Sequence, residues 1–516
     1  MQERYDRSSG NCTVLFWIAG TKLCWFRPTS FHETCRASAL GDLHLNHRLF
    51  FWALTSALAG FLFGFDTVVI SGAEKTIQEQ WNLSDGQHGL AMSIALWGMV
   101  VGSLIGFWPT DKLGRKKTLI SIGVLYFASA VWSGMAGDVN SFMIARFLGG
   151  LGVGISTVVA PLYISEISPP DRRGRLAGMF QFNIVFGILV AYLSNWAIGM
   201  SFDPQGWALF EGEAWRWMLG IEALPALVYT LLCFSLVESP RWLIGVKGDR
   251  ESGIEVLGLI NPGASAETVE TLASEITAAS QNQEKTAESF WTKRNRKPIT
   301  LAFLIAFFNQ LSGINAILYF APRIFELAGW GEDAARLNSI GIGLTNLVFT
   351  FLGLYLIDRL GRRSLLVIGS FGYIAALGIC SWAFVHYESQ FQVAETAVVE
   401  ASQVASSGGT LVMACIFAFI AAHAIGQGAV IWVFISEIFP NRHRASGQTL
   451  GSFTHWIFAA LLTMFFTSIL SATSPALVFG AFCLMMVLQL IWVVTMVPET
   501  KGVPLEQIEK ELGVSR

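Results

Sequence analysis

The sequence predicts an all-α membrane protein: twelve transmembrane helices in two six-helix pseudo-repeats, with a small cytoplasmic helical linker between them. Three observations lead there. Of 516 residues, 53% are hydrophobic and only 14% charged, where a soluble chain carries roughly 25% charged residues. Twelve apolar runs approach the ~20 residues needed to cross a hydrocarbon core. Motifs at the run boundaries recur in the same order in the two halves. The formal net charge of −3 hides a local asymmetry and gives no reason to expect a nucleic-acid partner.

Residues 1–47 form an N-terminal tail, expected to be disordered. VLFWIAG (14–20) follows Arg4 and Arg7 but is short for a secretory h-region and lacks a small-residue cleavage site. A six-span block, 48–237, follows, with apolar runs near 49–71, 90–109, 118–136, 141–163, 176–198 and 216–236. Residues 238–298 are polar and contain SAETVETLASEITAAS, which reads as helix. The second block, 299–498, has runs near 299–321, 338–357, 364–386, 411–435, 447–470 and 475–497, and 499–516 is a short tail.

Orientation follows from basic residues in short loops. DKLGRKK (111–117), PPDRRGR (169–175), DRLGRR (358–363) and PNRHR (440–444) follow spans two, four, eight and ten. The opposite loops carry chiefly Lys75, Arg323 and Arg336. The basic loops, the linker and both termini are therefore expected in the cytoplasm.

Seven cysteines without a CxxC pair suggest neither a disulfide framework nor a metal site. GGLGVG (149–154) lies inside a span, so Gly150 and Gly154 read as close helix contacts rather than a phosphate loop. His32, His44, His47, His88, His386 and His443 show no metal spacing and read as solvent-facing. No cofactor is expected.

The halves repeat one another. DKLGRKK recurs as DRLGRR, SEISPPDRRG (165–174) as SEIFPNRHRA (436–445), and ESPRW (238–242) more loosely as ETKG (499–502). Parallel repeats of this kind build carriers whose site lies near midplane between the halves. With ARFLGGLGVG (145–154), ESPRWL, QLSGIN (310–315), SEIFP and PETKG (498–502), the chain resembles the sugar porter family of the major facilitator superfamily from about residue 48 to 506. The resemblance implies a monosaccharide carrier (hexose or pentose) working by alternating access in the cell membrane, as a monomer within the lipid bilayer, and not an enzyme.

An acid inside a span is expensive, by about 2.5–3.5 kcal/mol on insertion scales. Asp66 in span one and Arg146 in span four each lie about five residues from the outer boundary, at a shared depth of roughly 7–9 Å. They can pair. The pair is either a structural salt bridge or a proton switch, in which separating Arg146 from Asp66 favours the neutral acid. Proton-coupled relatives carry Asp at this position, which favours symport with the proton as coupling ion. An uncoupled facilitator is the alternative, and a transporter-like sugar sensor a third, though sensors need a longer tail.

A sugar presents hydroxyls and apolar C–H faces, which call for amides and aromatics in a concave site. By resemblance these are Gln181, Asn309, Gln310, Asn315, Asn346, Trp432 and His455, with Gln427 nearby. Amides can also act as interhelical glue. Asn309 stands where glutamine is usual, and His455 where Gln or Asn is usual. Gln427 and Ala429 are also unusual, and His423 can point inward. Ser312 and Gly313 can loosen span seven and let Tyr319 and Phe320 move as an outer gate.

The inner loops carry opposed charges at a seven-residue offset: Glu166 with Arg173, and Glu437 with Arg444. Asp111, Arg115, Asp358 and Arg362 add further clusters, and Glu238 and Glu499 lie at the ends of spans six and twelve. Positive-inside anchoring explains some of the arginines but not the acids. By resemblance these groups form a cytoplasmic latch that bridges the halves when that side is closed and parts when it opens.

Overall fold

The twelve expected spans are present as helices long and apolar enough to cross a membrane: His47–Gly72, Asp85–Ile105, Arg115–Met135, Val139–Ile167, Gly178–Ser201, Ala214–Cys233, Lys293–Tyr319, Glu332–Leu360, Arg362–His386, Ser407–Ile438, Arg444–Ala472 and Pro475–Met496. They are called spans one to twelve below. The structure is a computed structural model that describes residues 4–5, 12–13, 47–169, 172–201, 213–285, 289–391, 407–440, 443–503, 507–508, 510 and 512–513. The chain divides into two units, Met1–His47 and Arg48–Arg516. In the first, Arg4–Tyr5 pairs antiparallel with Cys12–Thr13; His47 already opens span one, and the rest of the expected tail lies outside the described residues. Everything below concerns the second unit.

Helix starts are written in the sequence. Ser84 and Gln87 form a reciprocal capping box before span two, satisfying two orphan N–H groups. Asp138 accepts from the N–H groups of Asn140 and Ser141 before span four, and Ser474 caps span twelve ahead of Pro475. Small residues then set the packing. A Cβ at Gly150 would collide with the Ala95 backbone, and one at Gly154 with Met99 and Gly102. Spans two and four approach closely there, as small-xxx-small spacing predicts. Val124, Met135, Leu224, Phe371 and Ile491 are exposed on the outside of the bundles, where lipid tails replace water as the solvent.

Each half packs through its own helices: two on four, three on four and three on six in the first, and nine on twelve, nine on ten and seven on eleven in the second. Spans two and eleven, and five and eight, pack across the seam between halves. The interior of the seam holds the side chains that matter.

Two spans are irregular. Span seven is helical to Leu311, breaks at Gly313 with φ +89, and resumes over Ile314–Tyr319. Only glycine adopts that φ without penalty, and a Cβ there would strike the Phe482 ring. Span ten contains a π-turn at Ala424–Gly428, a feature that concentrates at functional sites.

The linker forms helices Arg250–Ile260 and Ala266–Lys285. Ile244, Leu257, Val269 and Ala273 give it a small core of its own. Phe290 packs on Phe439 and His443, with centroids 5.6 and 5.9 Å apart, docking the linker's end against the second half.

Candidate functional site

Arg146 Nη1 donates to Asp66 Oδ1, and its Nη2 donates to the Asp66 carbonyl at 3.1 Å. Asp66 is 1% exposed and Arg146 2%. The equal depth read from the sequence therefore corresponds to direct contact. A third group was missed. Glu222, in the turn between helices Ala214–Gly220 and Ala223–Cys233 of span six, is 2% exposed and its carboxyl lies against that of Asp66. Asp66 Oδ2 and Glu222 Oε1 are both buried with no hydrogen-bond donor. Two carboxyls facing one guanidinium in a low-dielectric interior cannot both be charged cheaply. An acid within an apolar run was the signal for Glu222, as it was for Asp66.

Below this cluster, amides join spans seven and eleven. Asn315 Nδ2 donates to Gln310 Oε1 at 2.9 Å, and Gln310 Nε2 reaches Asn309 Oδ1 at 3.0 Å and the His455 ring at 3.1 Å. Trp432 tilts against His455 with centroids 5.3 Å apart, and His455 is edge-on to Trp456 at 4.6 Å. Trp456 meets Phe63 of span one across the seam at 5.4 Å, so Phe63 and Trp456 join the aromatic wall although the sequence did not single them out. Asn346 accepts from Thr350 at 3.4 Å. Gln181 is half-buried. Gln427, in the π-turn, is fully buried, and neither amide atom has a hydrogen-bond partner. His423 Nδ1 pairs with the Tyr373 hydroxyl at 2.8 Å. The set offers amide donors and acceptors beside aromatic faces, the chemistry that polyhydroxyl compounds require. Among the described residues no group of His, Cys, Asp or Glu is arranged to hold a metal.

The face opposite the basic loops is shut by bonds between halves. Arg323 donates through Nε to Glu74 Oε1 at 2.9 Å and through Nη2 to Gln78 Oε1 at 2.6 Å. Lys75 pairs with Glu326 at 2.8 Å. Burial opposes the charge on Lys75, but Glu326, with Glu332 and Glu79 adding to it, raises the pKa above its ordinary value. Tyr192 donates to the Leu318 carbonyl at 2.8 Å, and Thr467 to that of Asp85 at 3.2 Å. Tyr319 and Phe320 are buried here, with Phe320 stacked on Phe466 at 4.9 Å and edge-on to His88 at 6.1 Å. His88 is 0% exposed, and His443 4%. Both were expected to face solvent; His88 is covered by the second half, and His443 by Phe290 of the linker.

On the basic-loop face the charges pair differently from the seven-residue offset. Glu166 binds Arg115 through Nε and Nη2, both at 2.9 Å, and Glu437 binds Arg362 at 3.1 and 2.8 Å. Asp111 and Asp358 hold the same arginines at 3.1 and 3.2 Å. Arg444 is not the partner of Glu437; its Nε is buried without a hydrogen bond. The reason is geometric: spans four and ten end at Ile167 and Ile438, and Arg173 and Arg444 begin the next helices. The Arg173 side chain lies outside the described residues. Glu238 accepts from the N–H groups of Arg115 and Lys116 at 2.8 and 3.2 Å, and Glu499 from those of Arg362 and Arg363 at 2.8 and 3.1 Å. Each caps the positive end of a helix. Burial nevertheless pushes the Glu238 carboxyl above its ordinary range, against those N–H donors. Gly114 and Gly361 precede the capped helices with φ +89 and +92, and a Cβ on either would strike the capping carboxylate. The repeated LGR is thus a capped corner. The ion pairs of Arg115 and Arg362 stay within their own halves.

Two six-helix bundles, a polar and aromatic seam at mid-depth and closure on one face define a carrier that exposes a central site to one side at a time. A family model described as Sugar (and other) transporter matches residues 52–512, and the chain belongs to that family, one of transporters rather than enzymes. It is 32% identical to an arabinose-proton symporter of Bacillus subtilis (strain 168), over 88% of this chain and 93% of that one. It is 33% identical to a galactose-proton symporter of Escherichia coli (strain K12), over 90% and 95%. The inward-open conformation of the xylose transporter XylE from E. coli superposes with a TM-score of 0.73 and 28% identity, covering 90% of this chain and 99% of that one. The fold is that of the major facilitator superfamily.

Proposed function

We propose that the protein carries a monosaccharide, a pentose or hexose, across a membrane together with a proton, by alternating access between the two bundles. The observation that carries this reading is the buried Arg146–Asp66 pair with Glu222 against it. One guanidinium neutralises one carboxylate, and the second carboxyl is neutral only with a proton. The curated relatives named as arabinose- and galactose-proton symporters support the same coupling. The sugar lies between Gln310, Asn315, Asn309 and His455 on one side and Gln181 on the other, with Asn346, Gln427 and Trp432 completing the wall.

The basic loops, the linker and both termini face the cytoplasm, and the chain works as a monomer in the cell membrane. In the state described here the outer gate of Tyr319 and Phe320 is shut. The Arg115–Glu166 and Arg362–Glu437 clusters, with Asp111, Asp358, Glu238, Glu499, Arg173 and Arg444, serve as the parted halves of a cytoplasmic latch.

The test is uptake of radiolabelled pentoses and hexoses into proteoliposomes, with and without an inward proton gradient. The expected result is gradient-driven accumulation of at least one sugar that Asp66→Asn abolishes while sugar exchange persists. Equal uptake under both conditions, with a silent Asp66→Asn, would establish an uncoupled facilitator instead.

A further inference from the structure

Glu74 meets the second half through Arg323, but a residue of its own half holds it in place. His88, in the opening turn of span two, is 0% exposed. Its Nε2 lies 3.0 Å from the Glu74 carbonyl oxygen and 3.2 Å from Glu74 Oε2. Both are acceptors, so this nitrogen carries a proton and donates; Nδ1 is buried without a hydrogen-bond partner. The N–H is bonded to the carbonyl and keeps its partial positive charge beside Oε2, which accepts no hydrogen bond of its own. From across the seam Arg323 donates through Nε to Glu74 Oε1 at 2.9 Å and sets Nη2 2.9 Å from Oε2. Phe320, three residues before Arg323, lies edge-on to the His88 ring at 6.1 Å. One histidine therefore meets the aromatic plug directly and the ion pair through Glu74. Its own place is set by backbone contact: Gly89 lies so near Met464 of span eleven that a Cβ there would strike the Met464 carbonyl.

We propose that His88 is a positioning residue of the outer closure: it presents Glu74 to Arg323 and seats Phe320, so that the ion pair and the plug close as one unit. Glu74 opens the short helix Glu74–Gln80. Without the ring N–H its side chain has other staggered rotamers open to it, and Arg323 must order it at each closure, at an entropic cost. With the N–H in place the acceptor is ready before the guanidinium arrives. The inference rests on the alternating-access reading above, with this face as the outer one.

His88→Leu keeps an apolar side chain against Phe320 and removes the donor, whereas His88→Gln returns an N–H at a similar reach. The reporter is Ser71→Cys. Ser71 is 3% exposed in the crevice beneath the tie, beside Pro322 and Arg323, and its hydroxyl has no hydrogen-bond partner to lose. An impermeant thiol reagent is applied to the outer side of sealed vesicles, and the rate is taken above that of the same protein with Ser71 intact. His88→Leu is expected to raise the rate about three- to tenfold, the effect of one lost hydrogen bond, and His88→Gln to stay within about twofold of wild type. In an Arg323→Ala background, with no guanidinium to receive, His88→Leu is expected to add less than about twofold. A rate unmoved by His88→Leu, raised equally by leucine and glutamine, or raised by the same factor with and without Arg323 overturns the proposal. Should His88→Leu fail to express, His88→Asn, whose amide is one methylene shorter than that of glutamine, must raise the rate instead; no rise overturns the proposal equally. Labelling of Ser71→Cys from the basic-loop side alone overturns the assignment of faces, and the proposal with it, and the side that labels tells this failure from the others.

Discussion

Arg323, on the short helix after span seven, donates to Glu74, on the segment after span one, 249 residues away in sequence. Glu74 is 2% exposed, so the bond is largely shielded from salt and water. It ties the halves on the face opposite the basic loops, the proposed outer face, at a point where neither partner belongs to a membrane helix. Arg323→Ala is expected to favour the outward-open state by roughly tenfold or more, since removing one partner of a buried ion pair costs several kcal/mol, even with His88 Nε2 left 3.2 Å from Glu74. Cysteine labelling from the outer side in sealed vesicles measures this; an unchanged labelling rate would show that the tie does not set the equilibrium.

The capped corners allow a sharp stability test. Gly361→Ala must adopt a positive φ and push its Cβ into Glu499, at a cost of about 1–2 kcal/mol for the backbone alone. Gly114→Ala meets Glu238 in the same way. Gly258→Ala, in a linker helix with nothing near its Cβ, gains up to about 1 kcal/mol of helix propensity. Thermal melting in detergent is expected to rank the two corner variants below wild type and Gly258→Ala at or above it.

Asp66→Ala and Asp66→Asn are expected to separate in stability. The alanine removes the hydrogen-bonded partner of buried Arg146 and leaves only the Glu222 carboxyl beside it, a loss of up to about 3–5 kcal/mol, whereas asparagine still offers an acceptor. Equal melting temperatures for the two would mean that the guanidinium has found water or another partner.

Glu238 predicts a pH signature. Burial raises its folded-state pKa above the ordinary value of 4.5, so the folded protein binds this proton more tightly than the unfolded chain. Its contribution is fully present below the unfolded pKa and is lost as pH rises through the folded one. Glu238→Gln is therefore expected to lose less stability than wild type between about pH 4 and 7, around the carboxylate range. Melting curves across that interval would refute the assignment if the wild-type and variant slopes coincide.

Gln310 holds Asn315, Asn309 and His455 together, so Gln310→Ala strands several buried polar groups at about 1–3 kcal/mol each. Sugar affinity is expected to fall at least about tenfold. His455→Gln keeps an acceptor for Gln310 and is expected to change affinity by only about threefold, under 1 kcal/mol. Quenching of Trp432 and Trp456 fluorescence on sugar binding reports both.

Much of this was legible in the sequence because hydrocarbon is unforgiving. Spans, repeats and the Asp66–Arg146 pair follow from what lipid excludes, and Glu222 obeys the same rule. The outer closure was half legible: Lys75 and Arg323 stood out as stray cations in loops otherwise poor in them. Their acids, Glu326 and Glu74, lie across the molecule, and no local spacing reveals them. The inner pairs misled for a related reason. A fixed offset implies contact only along one helix, and both seven-residue intervals cross a helix boundary, so Arg115 and Arg362 took the acids instead. His88 is a helix-start residue buried by a neighbouring bundle, which sequence periodicity cannot see.

One proton carried per cycle at Asp66, Glu222 and Arg146, as proposed above, has an electrical consequence. A neutral sugar crossing with one proton carries one positive charge per cycle, so transmembrane voltage drives the process as well as acidity. At 100 mV that is about 2.3 kcal/mol, enough for roughly fiftyfold concentration of solute with no pH difference at all.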